Sequence, residues 1–356
     1  MSKKTKIGII SRNFRSDPYF IACNRFDNLE VVACCDNYDL VDIERRGQRF
    51  GVPVLTVEEL LAHPEIEIVV NATHTKAHAA FALAAIAAGK SIYNRCPFVA
   101  LPGEGPRIVS FAREKKVLVG SDPDTFLSDG IQRCRTLIAE GSIGQPLSVT
   151  AFMVQRNVQG WHADPDFYYP YAAGALYNFG PYCLTTLVYL LGCIRRVIGS
   201  QSVRPLEQYD DQSGTSALKH IPTHAAGILE FTNGIRGTLV TSFEKGNSSY
   251  SLVEIYGTEG VLRLPDPMSF ETNVYLRKEA TQDWRPIDIP VGSFPQYHGI
   301  GLADMAEALR ENRLHRANGE IASHVIDIIS SIQKSAENSK PMMVKSGSLP
   351  ETVGES

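Results

Sequence analysis

The chain has 356 residues, a length typical of two domains of ordinary size. Hydrophobic residues make up 44% of it and charged residues 21%, as in a globular protein, and the formal net charge of −4 comes without a basic stripe. These values argue against a nucleic-acid partner and favour a small molecule. No apolar run reaches the length of a membrane span, and the cysteines form no C-x-x-C pair. We therefore expect a cytoplasmic protein with reduced thiols.

Short apolar runs alternate with helical patterns between residues 1 and 122. The runs are KIGII, LEVVACCD, IEIVVNAT, KSIYNRCP and KVLVGSD, and helical spacing of apolar residues separates them. This alternation predicts an α/β unit with a doubly wound parallel sheet over residues 1–122. Its ligand is expected at the carboxyl ends of the strands.

Beyond residue 122 the pattern changes to mostly strands. Segments such as LSVTAFMVQ, HAAGILEFT, IRGTLVTSF and YSLVEIYGT are linked by turns such as TNG and GTEG. They predict a second, α+β domain over residues 123–356 with a large, mainly antiparallel open sheet. Helices are expected at AAGALYNFGPYCLTTLVYLLG and near the end of the chain.

The turn after the first run lacks the glycines of a standard dinucleotide site. Its residues are Ser11, Arg12, Asn13 and Phe14, followed by Arg15. Glycine normally lets the backbone amides approach the pyrophosphate, so the side chains here occupy space that the phosphates need. The arginines either contact a phosphate or are solvated. We assign Ser11, Arg12, Asn13 and Phe14 to the cofactor side.

Asp36 ends the second run, twenty residues after Ser16. An acidic residue at this point hydrogen-bonds an adenosine ribose 2′-hydroxyl and repels a 2′-phosphate, which favours NAD over NADP. An aspartate after a strand is equally a helix cap or a turn residue.

Several segments together resemble the Gfo/Idh/MocA oxidoreductase family over nearly the whole chain. They include GVPVLTVEELLAHPEIEIVVNATHTKAHAAFALAAIAAGK, DTFLSDGIQRCRTLIAEGSIGQP, GWHADPDFYY, GALYNFGPYCLTTLVYLLG and GIGLADMAEAL. The resemblance implies a Rossmann-type nucleotide-binding domain over residues 1–122, followed over residues 123–356 by a substrate and oligomerisation domain whose open sheet often mediates oligomers through its outer face. It also implies NAD(P)-dependent oxidation or reduction of a sugar or polyol.

The catalytic motifs of that family are altered here. Its usual Glu-Lys-Pro after the fourth strand is Arg95-Cys96-Pro97, and its usual helix aspartate is Asn178. The resemblance assigns the lysine to substrate orientation and proton transfer, whereas the Asn178 amide hydrogen-bonds but is no general base. Cys96 is either an acid–base group activated by Arg95 or a small buried space-filler.

An aromatic stretch precedes the expected helix, in GWHADPDFYYPYAAGALYNFGPYC. Rings with polar tips suit stacking on a sugar and hydrogen bonding to its hydroxyls, although they also suit packing between domains. The substrate-binding candidates are Trp161, His162, Tyr168, Asn178 and Tyr182. The catalytic candidates are His162, which titrates near neutrality, with Tyr182, Cys96 and Asn178.

Further cofactor-side candidates follow the third and fourth runs. They are Asn71, Thr73 and His74 in NATH, together with Arg95. His74 and His78 lie four residues apart without a third ligand, so we expect no metal site. His298 is assigned to a loop.

Three functions are compatible with these observations. The first is an NAD-preferring oxidoreductase of a sugar, polyol or glycoside with an atypical proton relay. The second is a redox-inactive family member that acts as a binding, regulatory or partner subunit, since the glycine turn, the lysine and the aspartate are altered together. The third uses bound NAD in a reaction without net redox change. A homo-oligomer through the second domain's sheet is expected in each case.

Overall fold

The computed structural model describes residues 4–11, 16–36, 40–155, 174–210, 215–244, 250–278, 283–290, 292 and 296–346, with side chains at all of these except 205–210, 215–219 and 250. The chain forms two compact units. Unit 1 comprises Met1–Asp124 and Gly292–Ser323, and unit 2 comprises Thr125–Val291 and His324–Ser356. The segment from Gly292 to Ser323 therefore returns to unit 1.

Unit 1 contains a five-stranded sheet in the order β2-β1-β3-β4-β5, with every neighbouring pair parallel. The strands are β1 (Thr5–Ser11), β2 (Leu29–Cys35), β3 (Ile68–Ala72), β4 (Ser91–Asn94) and β5 (Val119–Ser121). All residues of β3 and β4 are buried, as expected where helices cover both faces of a parallel sheet. This is the doubly wound sheet that the alternating runs predicted.

Helices follow each of the first four strands of unit 1. They are α1 (Asp17–Arg25), α2 (Leu40–Phe50), α3 (Val57–Ala62), α4 (Thr75–Ala87) and α5 (Glu104–Lys115), joined later in the chain by α8 (Ile300–Glu311). A reciprocal capping box between Thr56 and Glu59 begins α3. Because all the strands run the same way, each strand-to-helix turn lies at the same edge of the sheet, here called the carboxyl edge.

Unit 2 contains a nine-stranded sheet in the order β13-β12-β11-β10-β6-β9-β8-β7-β14. Its strands are β6 (Pro146–Val154), β7 (Ile194–Asp210), β8 (Thr215–Phe231), β9 (Arg236–Ser242), β10 (Tyr250–Gly257), β11 (Val261–Arg263), β12 (Tyr275–Arg277), β13 (Arg285–Pro286) and β14 (Met342–Met343). All neighbouring pairs are antiparallel except β6 with β9. The expected large, mainly antiparallel sheet is confirmed.

The helices of unit 2 are α6 (Asp129–Ala139), α7 (Ala175–Leu191) and α9 (Gly319–Asn338), the last of which begins in unit 1. The approach of α9 to the sheet is close: a Cβ added at Gly199 would lie 2.1 Å from the Ile332 carbonyl oxygen. Glycine at this position of β7 is therefore required by packing.

A row of apolar side chains crosses four strands on the face of the sheet opposite to Leu229 and Leu239. Ala226 pairs with Val240, Val240 with Phe152, and Phe152 with Leu252. Each of the four is partly exposed. This apolar row gives the sheet a face that a second protein surface could cover.

All seven cysteines lie in the described part of the chain, and all are free thiols. Among the described residues, no helix is both long and apolar enough to cross a membrane.

Candidate functional site

Each strand of unit 1 has a polar residue at or just after its carboxyl end. Ser11 ends β1, Asp36 follows β2, Asn71 lies in β3, Arg95 follows β4 and Asp122 follows β5. In sheets of this kind ligands bind at this edge, beside the point where the strand order reverses. That point lies between β1 and β3, because β1 pairs with both β2 and β3.

A buried amide network shapes the turn after β4. Asn71 Nδ2 donates to Asn94 Oδ1 at 3.1 Å, and Asn94 Nδ2 donates to the Phe98 carbonyl at 3.0 Å. The Thr73 hydroxyl donates to Asn71 Oδ1 at 2.6 Å. The side chains of Asn71 and Thr73, both predicted on the cofactor side, thus hold the backbone that presents Arg95.

His78 ties the turns after β3 and β4 together. Its Nδ1 lies 2.9 Å from the Pro97 carbonyl oxygen, and its Nε2 lies 3.2 Å from that of Thr73. Burial lowers the pKa of His78 to about 4, so the ring is neutral at physiological pH. One ring nitrogen then carries the proton and hydrogen-bonds one of the two carbonyls.

A buried cluster of titratable side chains joins β5, α1 and the start of α8. Tyr19 of α1 donates a short hydrogen bond to Asp122 Oδ2. His298 Nε2 lies 3.5 Å from Asp122 Oδ2, and its Nδ1 lies 3.4 Å from Asp124 Oδ1. The amides of Gly299 and Gly301 donate to Asp124 Oδ2 at 2.7 and 3.1 Å. Asp124 therefore caps α8 while facing His298.

Charge governs the protonation of this cluster. Burial opposes a charged imidazole, but Asp122 and Asp124 outweigh it and raise the pKa of His298 to about 9. Burial also opposes ionisation of Asp124, yet the imidazolium and the amides of α8 hold its pKa below the ordinary value. Burial raises the pKa of Asp122. His298 is consequently an imidazolium at neutral pH.

Cys96 lies beside this cluster. Burial, and then the Asp122 carboxylate, raise the pKa of the Cys96 thiol well above its usual value, against the opposing charge of Arg95. The thiol is protonated at neutral pH. This favours the space-filling interpretation of Cys96 over a role as base.

Asp122, Asp124 and His298 also form the one group in the described ranges with spacing suited to a metal ion, with ligand atoms within 4.8 Å of one another. The cluster already contains compensating charge, because His298 is cationic and Arg95 acts on Asp122. A metal ion at this place would require a neutral His298, because an imidazolium has no free lone pair on nitrogen for a ligand bond.

A local ion-pair network surrounds the start of α1. Asp17, in the first turn, forms a short ion pair with Arg46 and lies 3.1 Å from Arg49 Nη1, while Arg46 Nε also binds Asp42 at 2.9 Å. The carboxylate of Asp17 is thereby neutralised, so it adds little repulsion at the helix N-terminus.

Unit 2 holds a cavity of about 620 Å³. Phe179 and Tyr182 of α7 line one side, and Arg263 lines another. The remaining lining residues are Met153, Val154, Gln155, Ser251, Leu264, Pro265, Asp266, Met268, Ser269, Glu271, Asn273 and Tyr275. Apolar surface, two phenols, hydroxyls, amides and carboxylates suit a small polyhydroxylated molecule.

Two predicted residues lie on α7, which begins after Gly174. Gly174 has φ +94, a backbone conformation that favours glycine, and its carbonyl accepts the amide of Asn178 at 3.1 Å. Tyr182, one turn after Asn178, lines the cavity, whereas Asn178 is not among the lining residues. The predicted residues Arg12, Asn13, Phe14, Trp161, His162 and Tyr168 lie outside the described residues.

The carboxyl-edge cluster was not predicted from the sequence. Asp122 and Asp124 stand in SDPDT directly after a predicted strand, which is the available signal for strand-end carboxylates. His298 comes from a segment 174 residues further on than Asp124, and no local pattern links the two.

The fold and the carboxyl edge define a two-unit α/β protein with a dinucleotide-type Rossmann unit. Residues 6–122 match the family described as "Oxidoreductase family, NAD-binding Rossmann fold", and residues 131–263 match "GFO/IDH/MocA C-terminal domain". The chain belongs to the Gfo/Idh/MocA family and is an NAD-binding oxidoreductase of that type. The expected family and fold are confirmed.

Relatives with named activities span much of the chain. It is 27% identical to inositol 2-dehydrogenase of Pseudomonas syringae pv. syringae (strain B728a), over 87% of this chain and 88% of that protein. It is 26% identical to 1,5-anhydro-D-fructose reductase of Ensifer adhaerens, over 60% of this chain and 61% of that protein. The levoglucosan dehydrogenase complex with NADH and L-sorbose has a TM-score of 0.81, with 20% identity over 96% of this chain and 99% of that chain. This last likeness concerns the fold alone.

Proposed function

We propose that this protein is an NAD-dependent oxidoreductase that acts on a sugar, polyol or glycoside. The observation that carries the proposal is the cavity of about 620 Å³ in unit 2, where phenol, amide and carboxylate groups surround apolar surface. The chain's relatives include an inositol dehydrogenase and an anhydrofructose reductase, which agree with such a ligand.

NAD is the expected cofactor because Asp36 directly follows β2, the strand whose carboxyl end faces the adenosine ribose in this fold. Its carboxylate would accept from a 2′-hydroxyl and repel a 2′-phosphate. Arg46 is a buried residue of α2, the helix that follows Asp36, and its guanidinium is already paired with Asp17 and Asp42. This pairing leaves Arg46 poorly placed to neutralise a 2′-phosphate. When bound, the nicotinamide exchanges a hydride with the substrate.

Tyr182 is the substrate-binding residue that the cavity supports most directly. Its phenol can donate to and accept from a hydroxyl, and Phe179 offers an apolar face one turn earlier. Trp161, His162, Tyr168 and Asn178 remain proposed contributors on the strength of the aromatic stretch in the sequence. His162 stays a proposed acid–base residue.

A redox-inactive binding subunit is the second candidate. The protonated thiol of Cys96 and the amide of Asn178 favour it, since neither is a general base at neutral pH. The first candidate requires both nucleotide binding and turnover, whereas the second requires no turnover, with or without a bound nucleotide.

Titration calorimetry of the full chain with NAD⁺ and with NADP⁺ tests whether the protein binds a nicotinamide nucleotide and which one it prefers. We expect micromolar or tighter binding of NAD⁺ and weaker binding of NADP⁺. Myo-inositol, levoglucosan and L-sorbose are then titrated into wild type and Tyr182→Ala, with Tyr256→Ala on β10 as a matched control outside the cavity lining. Equal binding to wild type and Tyr182→Ala would contradict the assignment of the cavity.

A homo-oligomer formed through the apolar row is proposed as well. Ala226, Val240, Phe152 and Leu252 offer a continuous apolar path across β8, β9, β6 and β10. Ile228, 47% exposed on β8, and its register partner Ile198, 38% exposed on β7, extend that path. Sedimentation equilibrium of wild type and Val240→Glu tests it, and an unchanged mass would contradict it.

A further inference from the structure

His298 is the partly exposed member of the buried carboxyl-edge cluster. Its side chain is 28% exposed, against 3% for Asp122 and 1% for Asp124. It lies two residues before α8, next to Gly299, which caps that helix. Of these three groups it has the best access to a ligand at the carboxyl edge.

Two carboxylates face the His298 ring. The carboxylates of Asp122 and Asp124 come from the end of β5, at 3.5 and 3.4 Å. Both separations exceed the about 2.7–2.9 Å of a short charge-assisted hydrogen bond. The Nδ1–H of the ring hydrogen-bonds Asp124, whereas Nε2 lies 3.5 Å from Asp122 Oδ2, which already accepts a hydrogen bond from Tyr19.

The neighbouring titratable groups are Tyr19 from α1, Tyr93 from β4, and Arg95 and Cys96 from the turn after β4. The ring centroids of Tyr19 and His298 are 4.9 Å apart. Tyr93 Oη is buried beside Asp122, and a side-chain hydrogen bond to that carboxylate helps to raise the pKa of Tyr93. With Arg95, a protonated His298 balances the two carboxylates.

Reduction of a carbonyl group requires the transfer of a hydride to the carbon and of a proton to the oxygen. We propose that His298 is the proton donor for carbonyl reduction at the carboxyl edge, and the acceptor in the reverse oxidation. This inference rests on the proposed oxidoreductase function and deepens it.

Bonds and charges balance in the proton step. As the carbonyl carbon gains a hydride, the C=O π bond breaks and its electron pair moves to oxygen. The oxygen forms an O–H bond with the proton from an imidazolium N–H of His298, and that N–H electron pair stays on nitrogen. The neutral imidazole left between two carboxylates then takes a proton from solvent, which its partial exposure permits.

Other groups of the cluster are less suited to this step. The pKa values of Tyr19 and Tyr93 are raised well above the ordinary value by burial, as is that of Cys96, so these groups hold their protons. Arg95 does not release a proton in proteins. His298 carries a transferable proton at neutral pH, since its pKa is raised to about 9 despite burial, by Asp122 and Asp124.

The test compares wild type with His298→Gln, using NADH as the reductant and 1,5-anhydro-D-fructose as the carbonyl probe. We expect wild-type kcat to fall above about pH 9, and His298→Gln to lose about 100-fold or more in kcat together with that alkaline limb. NADH binding by calorimetry should be unchanged. His63→Gln, in unit 1 outside the cluster, is the matched control and should keep the wild-type rate.

A second variant keeps the test decisive if His298→Gln does not fold. Asp122→Asn removes one of the facing charges and should move the alkaline limb down by about one pH unit or more. The His298 Cε1 proton resonance, followed by NMR without nucleotide, should show the same displacement. A purely structural role for His298 would not move the limb of kcat.

Two results would overturn the inference. One is a His298→Gln variant whose kcat equals that of wild type and still falls above about pH 9. The other is an Asp122→Asn variant whose kcat falls at the same alkaline pH as that of wild type. Failure of the proposed function has a different signature: wild type itself binds NADH but reduces no carbonyl, although the NMR titration of His298 keeps its high midpoint.

Discussion

His298→Gln should remove a pH-dependent contribution to the stability of unit 1. The pKa of His298 rises from 6.5 to about 9 in the folded protein because the carboxylates of Asp122 and Asp124 outweigh burial. That difference, about 2.5 units at 1.36 kcal/mol each, corresponds to about 3 kcal/mol. Since the folded pKa is the higher one, the contribution is complete below about pH 6.5 and is lost as pH rises through about 9.

The measurement is urea unfolding of wild type and His298→Gln at about pH 6 and about pH 10. Hydrogen–deuterium exchange of β5 and α8 peptides assigns the relevant transition to unit 1. Comparison at equal pH cancels most contributions from groups that the two proteins share. We expect the free-energy difference between wild type and variant to shrink by about 3 kcal/mol across this range.

His63→Gln provides the control, because this substitution removes a histidine of the same unit outside the cluster. A wild-type-to-variant difference that stays constant across the pH range would refute an imidazolium at His298. A difference that grows with pH would refute a pKa raised by folding.

Other parts of the molecule give three further predictions. Asp36→Asn should weaken NAD⁺ binding about tenfold through loss of a charge-assisted hydrogen bond and reduce the preference over NADP⁺; unchanged calorimetric affinities for both would contradict it. Tyr182→Phe should lower kcat/KM for a polyol by up to about tenfold while NAD⁺ affinity stays constant, and an unaltered kcat/KM would count against a phenol contact. Gly199→Ala should destabilise unit 2 by about 1–3 kcal/mol in urea unfolding, because a Cβ there meets the Ile332 carbonyl, whereas Gly103→Ala has open space and should be neutral.

The fold was largely predictable because its signals are local. Runs such as IEIVVNAT are short, apolar and β-branched, and the buried strand β3 is formed by Ile68–Ala72 as that pattern indicates. Because helices alternate with these strands along the chain, only a few sheet topologies are possible. The predicted boundary at residue 122 could not reveal the return of the chain from Gly292 to Ser323, since that depends on tertiary packing alone.

The site was less predictable because its chemistry is non-local. Cys96 and Arg95 are adjacent in the chain and suggested an activated thiol, but the nearby Asp122 and burial act in the opposite direction. The raised basicity of His298 requires two carboxylates from a strand distant in sequence. Tyr182 was predicted because it lies on a strongly patterned helix beside other aromatic residues, and in the structure it lines the cavity of unit 2.

Turnover tests the central claim most directly. The purified full chain is mixed with NAD⁺ and, in turn, myo-inositol and levoglucosan, and with NADH and 1,5-anhydro-D-fructose, while nicotinamide absorbance is followed over time. We expect enzyme-dependent hydride transfer with at least one of these compounds, slowed about 100-fold or more in His298→Gln. Tight nucleotide binding by the folded protein without hydride transfer to or from any of them would contradict the oxidoreductase function and favour a binding subunit.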